Sequence, residues 1–142
     1  MSKLLIEDEV IKAVCDHLEK NGFRIKSVAL KRKPGDDIIA ISNDGSQKVY
    51  IEAKGATSSR KGSSRFGMPF KRGQVKSHIA MALYRASVMR ENREENNIRV
   101  GIALPLNIDH KEMVGMVSKA LNDLEIEIFW VDDKSNVFVV KN

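Results

Sequence analysis

Three residues near the middle of the chain have the types and spacing to do chemistry: Asp37, Glu52 and Lys54. They lie in Pro34-Gly35-Asp36-Asp37-Ile38-Ile39-Ala40-Ile41 and, after a turn at Asn43-Asp44-Gly45, in Val49-Tyr50-Ile51-Glu52-Ala53-Lys54-Gly55. Glu52 and Lys54 are two apart in a segment of strand character, so both leave one face of a sheet together with Tyr50. Val49, Ile51 and Ala53 take the other face. Asp37 opens an apolar segment, where a charge is tolerated only near a sheet's end. If the two segments pair as a hairpin, Asp37 approaches Glu52. A hard cation such as Mg2+ (or Mn2+) takes one or two carboxylates, with waters and substrate phosphate oxygens completing its shell. Held there, it polarises a phosphoryl oxygen and activates a water near neutral pH. A neighbouring lysine orients that water or offsets charge developing in the transition state. The set suits hydrolysis of a phosphodiester.

Several elements must position these groups. Ile6, Val10, Ile11, Val14 and Leu18 recur at helical spacing over 6–20, and Asn21-Gly22 supplies a stop. Three strands follow at 23–32, 37–42 and 48–54, separated by Pro34-Gly35 and Asn43-Asp44-Gly45, and read as a meander. Residues 55–70 lack periodicity, are rich in Gly, Ser and Arg, and read as a mobile surface loop of functional length. Val75, Ile79, Ala82, Leu83 and Ala86 form a helical stripe over 71–90. A strand at 98–104 is stopped by Pro105. A helix at 109–124 runs through Met113, Val117, Ala120, Leu121 and Leu124, and strands at 126–131 and 136–140 finish the chain. The order is αβββαβαββ: one α/β domain spanning 1–142, with a mixed sheet flanked by helices.

Asp37-Ile38-Ile39-Ala40, then Glu52-Ala53-Lys54 after a hairpin, resembles the signature of the PD-(D/E)XK nuclease superfamily, which includes restriction endonucleases and archaeal Holliday-junction resolvases. The element order is similar to that family's restriction-endonuclease-like core over most of the chain, although the motif is short. Asp36 stands where the family name has proline. Either aspartate suits the ligand position, and Asp37 is preferred because it directly precedes the apolar strand. The resemblance implies a Mg2+-dependent endonuclease with Asp37 and Glu52 on the metal and Lys54 assisting the water. It also implies an acid from the first helix. Of the two candidates, Glu7 falls on the apolar stripe and Glu9 opposite it, so Glu7 is the choice. A glutamine near the start of the second helix matches Gln74, and His78 lies one turn later.

Net charge is +5 and the pI about 9.4, a balance that favours polyanionic partners. The basic residues cluster in two acid-free stretches flanking the acidic pair. Arg24, Lys26, Lys31, Arg32 and Lys33 precede it, and Arg60, Lys61, Arg65, Lys71 and Arg72 follow. Lys31, Arg32, Lys33, Arg60, Lys61, Arg65, Lys71 and Arg72 are the expected contacts to a phosphate backbone. DNA is the expected partner, and nothing in the sequence separates it from RNA. Aromatic residues total 6%, which argues against binding single strands by stacking alone.

No apolar run approaches a membrane span. The lone Cys15 excludes an internal disulfide, fits a reducing cytoplasm and reads as a packed thiol. His17 and His110 lack metal-ligand spacing, and Phe129 and Trp130 read as core or partial surface. A chain this small has no room for a separate recognition domain. Its specificity must come from DNA structure, a homodimer or a partner. Two other functions fit the same residues: a nucleic-acid-binding module without activity, and a subunit of a larger restriction or repair assembly.

Overall fold

The inner strands of the sheet are apolar on both faces, which requires helices on both sides, whereas the two edge strands alternate. The computed structural model of the chain describes residues 3–30, 35–57, 68–92 and 97–141. Its elements run α1 (Glu7–Lys20), β1 (Phe23–Val28), β2 (Ile38–Ser42), β3 (Lys48–Ala53), α2 (Arg72–Asn92), β4 (Ile98–Pro105), α3 (Ile108–Gly115), α4 (Ser118–Asp123), β5 (Ile126–Val131) and β6 (Val137–Val140). The six strands lie in sequence order in one open mixed sheet. The meander β1–β2–β3 is antiparallel, β3–β4–β5 is parallel, and β6 returns antiparallel on β5.

Parallel neighbours need crossovers, and the two here, α2 and then α3 with α4, pack on the same face. On that face Val75, Ile79, Ala82 and Ala86 of α2, with Val114 and Leu121, cover Tyr50, Ile102, Leu104, Ile128 and Trp130. On the other, Val10, Ile11, Val14 and Leu18 of α1 cover Ile38, Ala40, Val49, Ile51, Ala53 and Phe129. A half-buried salt bridge lies on the α1 side, where Arg99 grips Glu127 with two bonds of 2.8 and 2.7 Å. Gly101 beside it is obligatory: a Cβ there would stand 2.5 Å from Cε1 of Phe129.

Three boundaries differ from expectation. The helix read over 109–124 is two helices. Gly115 weakens the ladder, Val117 donates to Val114 in a tight i−3 turn at 3.0 Å and leaves helical geometry (φ −122°), and Leu121 restarts the ladder on the Val117 carbonyl. Strand β1 stops at Val28 rather than residue 32, after a bulge between Ile25 and Ser27 that twists this edge strand. Residues 55–57, read as the start of a surface loop, are buried. The Ala56 N–H donates to Leu5 and its carbonyl accepts from Phe70, closing the segment at its base. Among the described residues no helix is long and apolar enough to cross a membrane.

Candidate active site

Pairing of β2 with β3 runs Ile39↔Tyr50 and Ile38↔Ile51. One further step puts Asp37 opposite Glu52, where β3 finishes and β2 begins. Ligand sites in sheets with parallel strands lie at these carboxyl ends. Asp37 is held twice. Its carbonyl accepts from the Ala29 N–H at 2.9 Å, and its Oδ2 accepts from the Ala53 N–H at 2.8 Å. Asp37 is 9% exposed and Glu52 4%, so two acids share a nearly dry spot. Burial raises the Asp37 pKa to about 7 against the Ala53 bond, and the negative charges of Glu52 and Glu7 push the same way. Close side-chain approach to Glu52 adds to the same rise.

Glu52 is bracketed by two cations. Lys54 Nζ stands 3.5 Å from Oε2, and Arg85 Nε donates to Oε1 at 3.1 Å. Although β3 ends at Ala53, the Lys54 N–H still donates to the Ala103 carbonyl at 3.0 Å. Alternation therefore continues one residue further and keeps Lys54 on the Glu52 face. His78 lies beside this group. Burial holds its pKa below the usual range and the Lys54 charge adds to the effect, while Phe70 meets its ring edge-on at 4.5 Å. No family model, curated protein or solved structure matches this chain. The site's chemistry therefore has to be read from its own residues.

The Glu7 charge is felt at the pair because α1 begins there. The backbone at Gly55 passes so close that an added Cβ would sit 2.6 Å from the Glu7 nitrogen and 2.9 Å from the Ile6 carbonyl carbon. Glu9, the other candidate, is spent locally: it accepts from the Ile6 N–H at 3.0 Å and pairs with Lys3. Gly55→Ala must push α1 away from β3, because backbone atoms have no rotamer to yield. The expected cost is about 1–3 kcal/mol, the range for overpacking, read as a fall of several degrees in thermal denaturation. An unchanged melting temperature would show that the contact is slack.

The remaining sequence candidates are placed differently. The Gln74 Oε1 accepts from the Lys71 N–H at 2.9 Å, so its carbonyl is used in the first turn of α2. Arg72 is tied to Asp109 and Glu112 at 2.8 Å each, fastening α2 to α3, and Lys71 is exposed. Lys31, Arg32, Lys33, Arg60, Lys61 and Arg65 lie outside the described residues. Cys15 is half-buried, and burial pushes its thiol up to about 11, leaving it unreactive. His110 is buried. Its Nδ1 lies 2.8 Å from the Asn107 Oδ1, which also accepts the His110 backbone N–H, so Nδ1 carries the proton and the neutral ring finishes the α3 cap.

Sequence reading missed Arg85. The signal was available: Arg85 follows Gln74 by eleven residues, three helical turns, and so shares its stripe.

Among the described residues no trio of His, Cys, Asp or Glu stands close enough to hold a metal ion complete. The acids gather as a pair, with Glu7 felt through its charge. That pair fits a hard divalent cation. Two buried carboxylates side by side are the donors such an ion takes, water and phosphate filling the rest of its shell.

Proposed function

We propose that this protein is a divalent-metal-dependent phosphodiesterase acting on DNA, with Asp37 and Glu52 as metal ligands. The observation that carries the reading is the direct opposition of the two buried carboxylates beside Lys54 at the open end of the sheet. A bound Mg2+ or Mn2+ would supply charge neutralisation at the phosphate and a water acidified toward neutral pH. Asp37 is oriented by the Ala53 N–H, and Glu52 by Arg85 and Lys54. Lys54, freed from Glu52 once a cation sits there, offsets negative charge on the phosphate undergoing attack. Glu7 adds negative field to the metal position. Gln74 stands at the start of the helix that carries Arg85. The resemblance of the sequence to the PD-(D/E)XK superfamily supports the same chemistry, and restriction-like and junction-resolving activities both fit within it.

The deciding experiment is a Mg2+-dependent cleavage assay on linear duplex, single-stranded and four-way-junction DNA, with RNA alongside and Lys54→Ala as control. Lys54→Ala should lose rate while keeping metal affinity. Absence of cutting on every substrate at millimolar Mg2+ or Mn2+ would overturn the assignment.

One observation favours a second reading, a nucleic-acid-binding module without activity. Both oxygens of Glu52 are already engaged by Arg85 and Lys54. Calorimetry that detects no Mg2+ or Mn2+ binding at millimolar concentration would select it.

Backbone binding is expected from the acid-free basic stretch that follows Lys54 in the sequence. Arg60→Ala, Lys61→Ala and Arg65→Ala together should weaken binding to all sequences alike. The dependence of log affinity on log salt should flatten by about 2–3 units, since each lost phosphate contact removes roughly 0.9. Titrations across a salt series check this, and an unchanged slope would place the phosphate contacts elsewhere.

A further inference from the structure

Arg85 joins the acidic pair to a second cavity. On one side it bonds Glu52, and on the other it lines a hollow of about 360 Å³ with Asp36, Tyr84, Val88 and Asn92. That volume lies at the lower end of the range for small-ligand pockets. Asp36 immediately precedes Asp37, so cavity and acidic pair share a wall. Tyr84 is 67% exposed, which leaves a ring face accessible. Val88, one turn on, is 39% exposed and continues the apolar floor. The cavity thus combines an accessible ring face, a guanidinium, a carboxylate and an amide.

The α2 helix packs chiefly on β3 and β4, and on the same face of β2 Ile39 packs against its core cluster while Ile41 is buried. Arg24 pairs with Ile41 and Ser27 with Ile39, so these β1 residues share the face of Tyr50 and Glu52. Arg24 is exposed there. Arg24 thus adds a cation to the face that carries the acidic pair.

Resting on the phosphodiesterase reading, we infer that this cavity receives one unpaired nucleobase next to the scissile phosphate, stacked on Tyr84 and read at its edge by Asp36 and Asn92. Inside a duplex both faces of a base are covered by its neighbours, so an aromatic platform gains contact only with a base that is already unstacked or flipped out. The substrate class that follows is nucleic acid with an unpaired nucleotide at the cut: a branch, a flap, a bulge or a single strand. Arg85 then serves twice, orienting Glu52 and neutralising the phosphate joined to the captured nucleotide. A second copy of the chain covering the Met81–Tyr84–Val88 stripe suits this surface less well. The hollow beside Tyr84 and Val88 is also lined by Asp36, Arg85 and Asn92, groups that an apolar partner face would desolvate.

The test is run without divalent metal, so that cutting does not enter. Anisotropy compares two fluorescein-labelled duplexes, one fully paired and one carrying a single unpaired 2-aminopurine, whose emission also reports stacking. Wild type should prefer the second duplex and quench its 2-aminopurine. Tyr84→Ala should lose about five- to a hundredfold of that preference, the usual worth of one stacked base, with affinity for the paired duplex unchanged. Tyr84→Phe should keep it, and Asn92→Ala should reduce it in part. Circular dichroism should be the same for all, since Tyr84 and Asn92 are exposed. Equal wild-type affinity for both duplexes, full preference in Tyr84→Ala, or a fall in sedimenting mass in that variant would each overturn the inference. Base preference without cleavage would sink the enzymatic reading alone, and cleavage with an indifferent Tyr84→Ala would sink the cavity alone.

Discussion

Asp37→Asn should abolish metal-dependent cleavage, by at least about a hundredfold on the scale of one lost electrostatic contact to a transition state, while metal-free DNA binding is retained or tightened. The substitution is nearly isosteric, and the amide oxygen can still accept the Ala53 N–H that fixes Asp37 in place. What disappears is one of two negative charges, and with it the field that draws a cation. Binding is spared because the lost charge repels phosphate. Glu52→Gln should behave alike in cleavage but be less neutral in structure, since Arg85 and Lys54 would then face an uncharged partner. Single-turnover cleavage and filter binding on one preparation separate the two effects. Equal rates for wild type and Asp37→Asn would remove the site assignment.

The second large effect is on stability, and it has the opposite sign. Asp37 has its pKa raised from 3.8 to about 7 in the folded protein. The folded state therefore holds this proton more tightly than the unfolded chain. Its stabilising contribution is complete below about pH 4 and is lost as pH rises through 7. Each pH step of one across that window is worth about 1.4 kcal/mol, so the metal-free protein should lose a few kcal/mol in all. Asp37→Asn has no charge to bury, so at pH 8 without metal it should be more stable than wild type, while at pH 4 the two should converge. Saturating Mg2+ at pH 8 should stabilise wild type, by about 2.7 kcal/mol at a hundred times Kd, and leave the variant unmoved. His110 acts in reverse. Burial lowers its pKa to about 4, so its contribution is present above 6.5 and lost as pH falls toward 4. It is common to both proteins and cancels in their difference. Denaturant titrations at pH 4, 6 and 8 measure that difference, and a variant less stable than wild type at pH 8 would show that the pair is not held under electrostatic tension.

Much of the architecture was legible because its causes are local. Period-two and period-3.6 patterns located all six strands and three helical regions, since residues that must face a core repeat with the geometry of their element. The face shared by Tyr50, Glu52 and Lys54 followed from alternation alone. The split between α3 and α4 was less legible, because Val114, Val117 and Leu121 keep helical spacing across a break made by Gly115. The end of β1 was obscured because Ala29 and Leu30 extend the apolar run past the point where pairing stops.

By itself the sequence determined which residues are chemically able, two acids and a lysine on adjacent strands, and the turns that let those strands pair. Only the tertiary structure decided which of them meet. Glu9 was taken up by the Ile6 N–H and Lys3, Arg72 was taken up by Asp109 and Glu112, and Arg85 was delivered to Glu52 from thirty-three residues away. Periodicity reports the face a side chain occupies, not the distant group packed against that face. Charge partners and shifted pKa values are properties of that packing, because they depend on burial and on distances between segments remote in the chain.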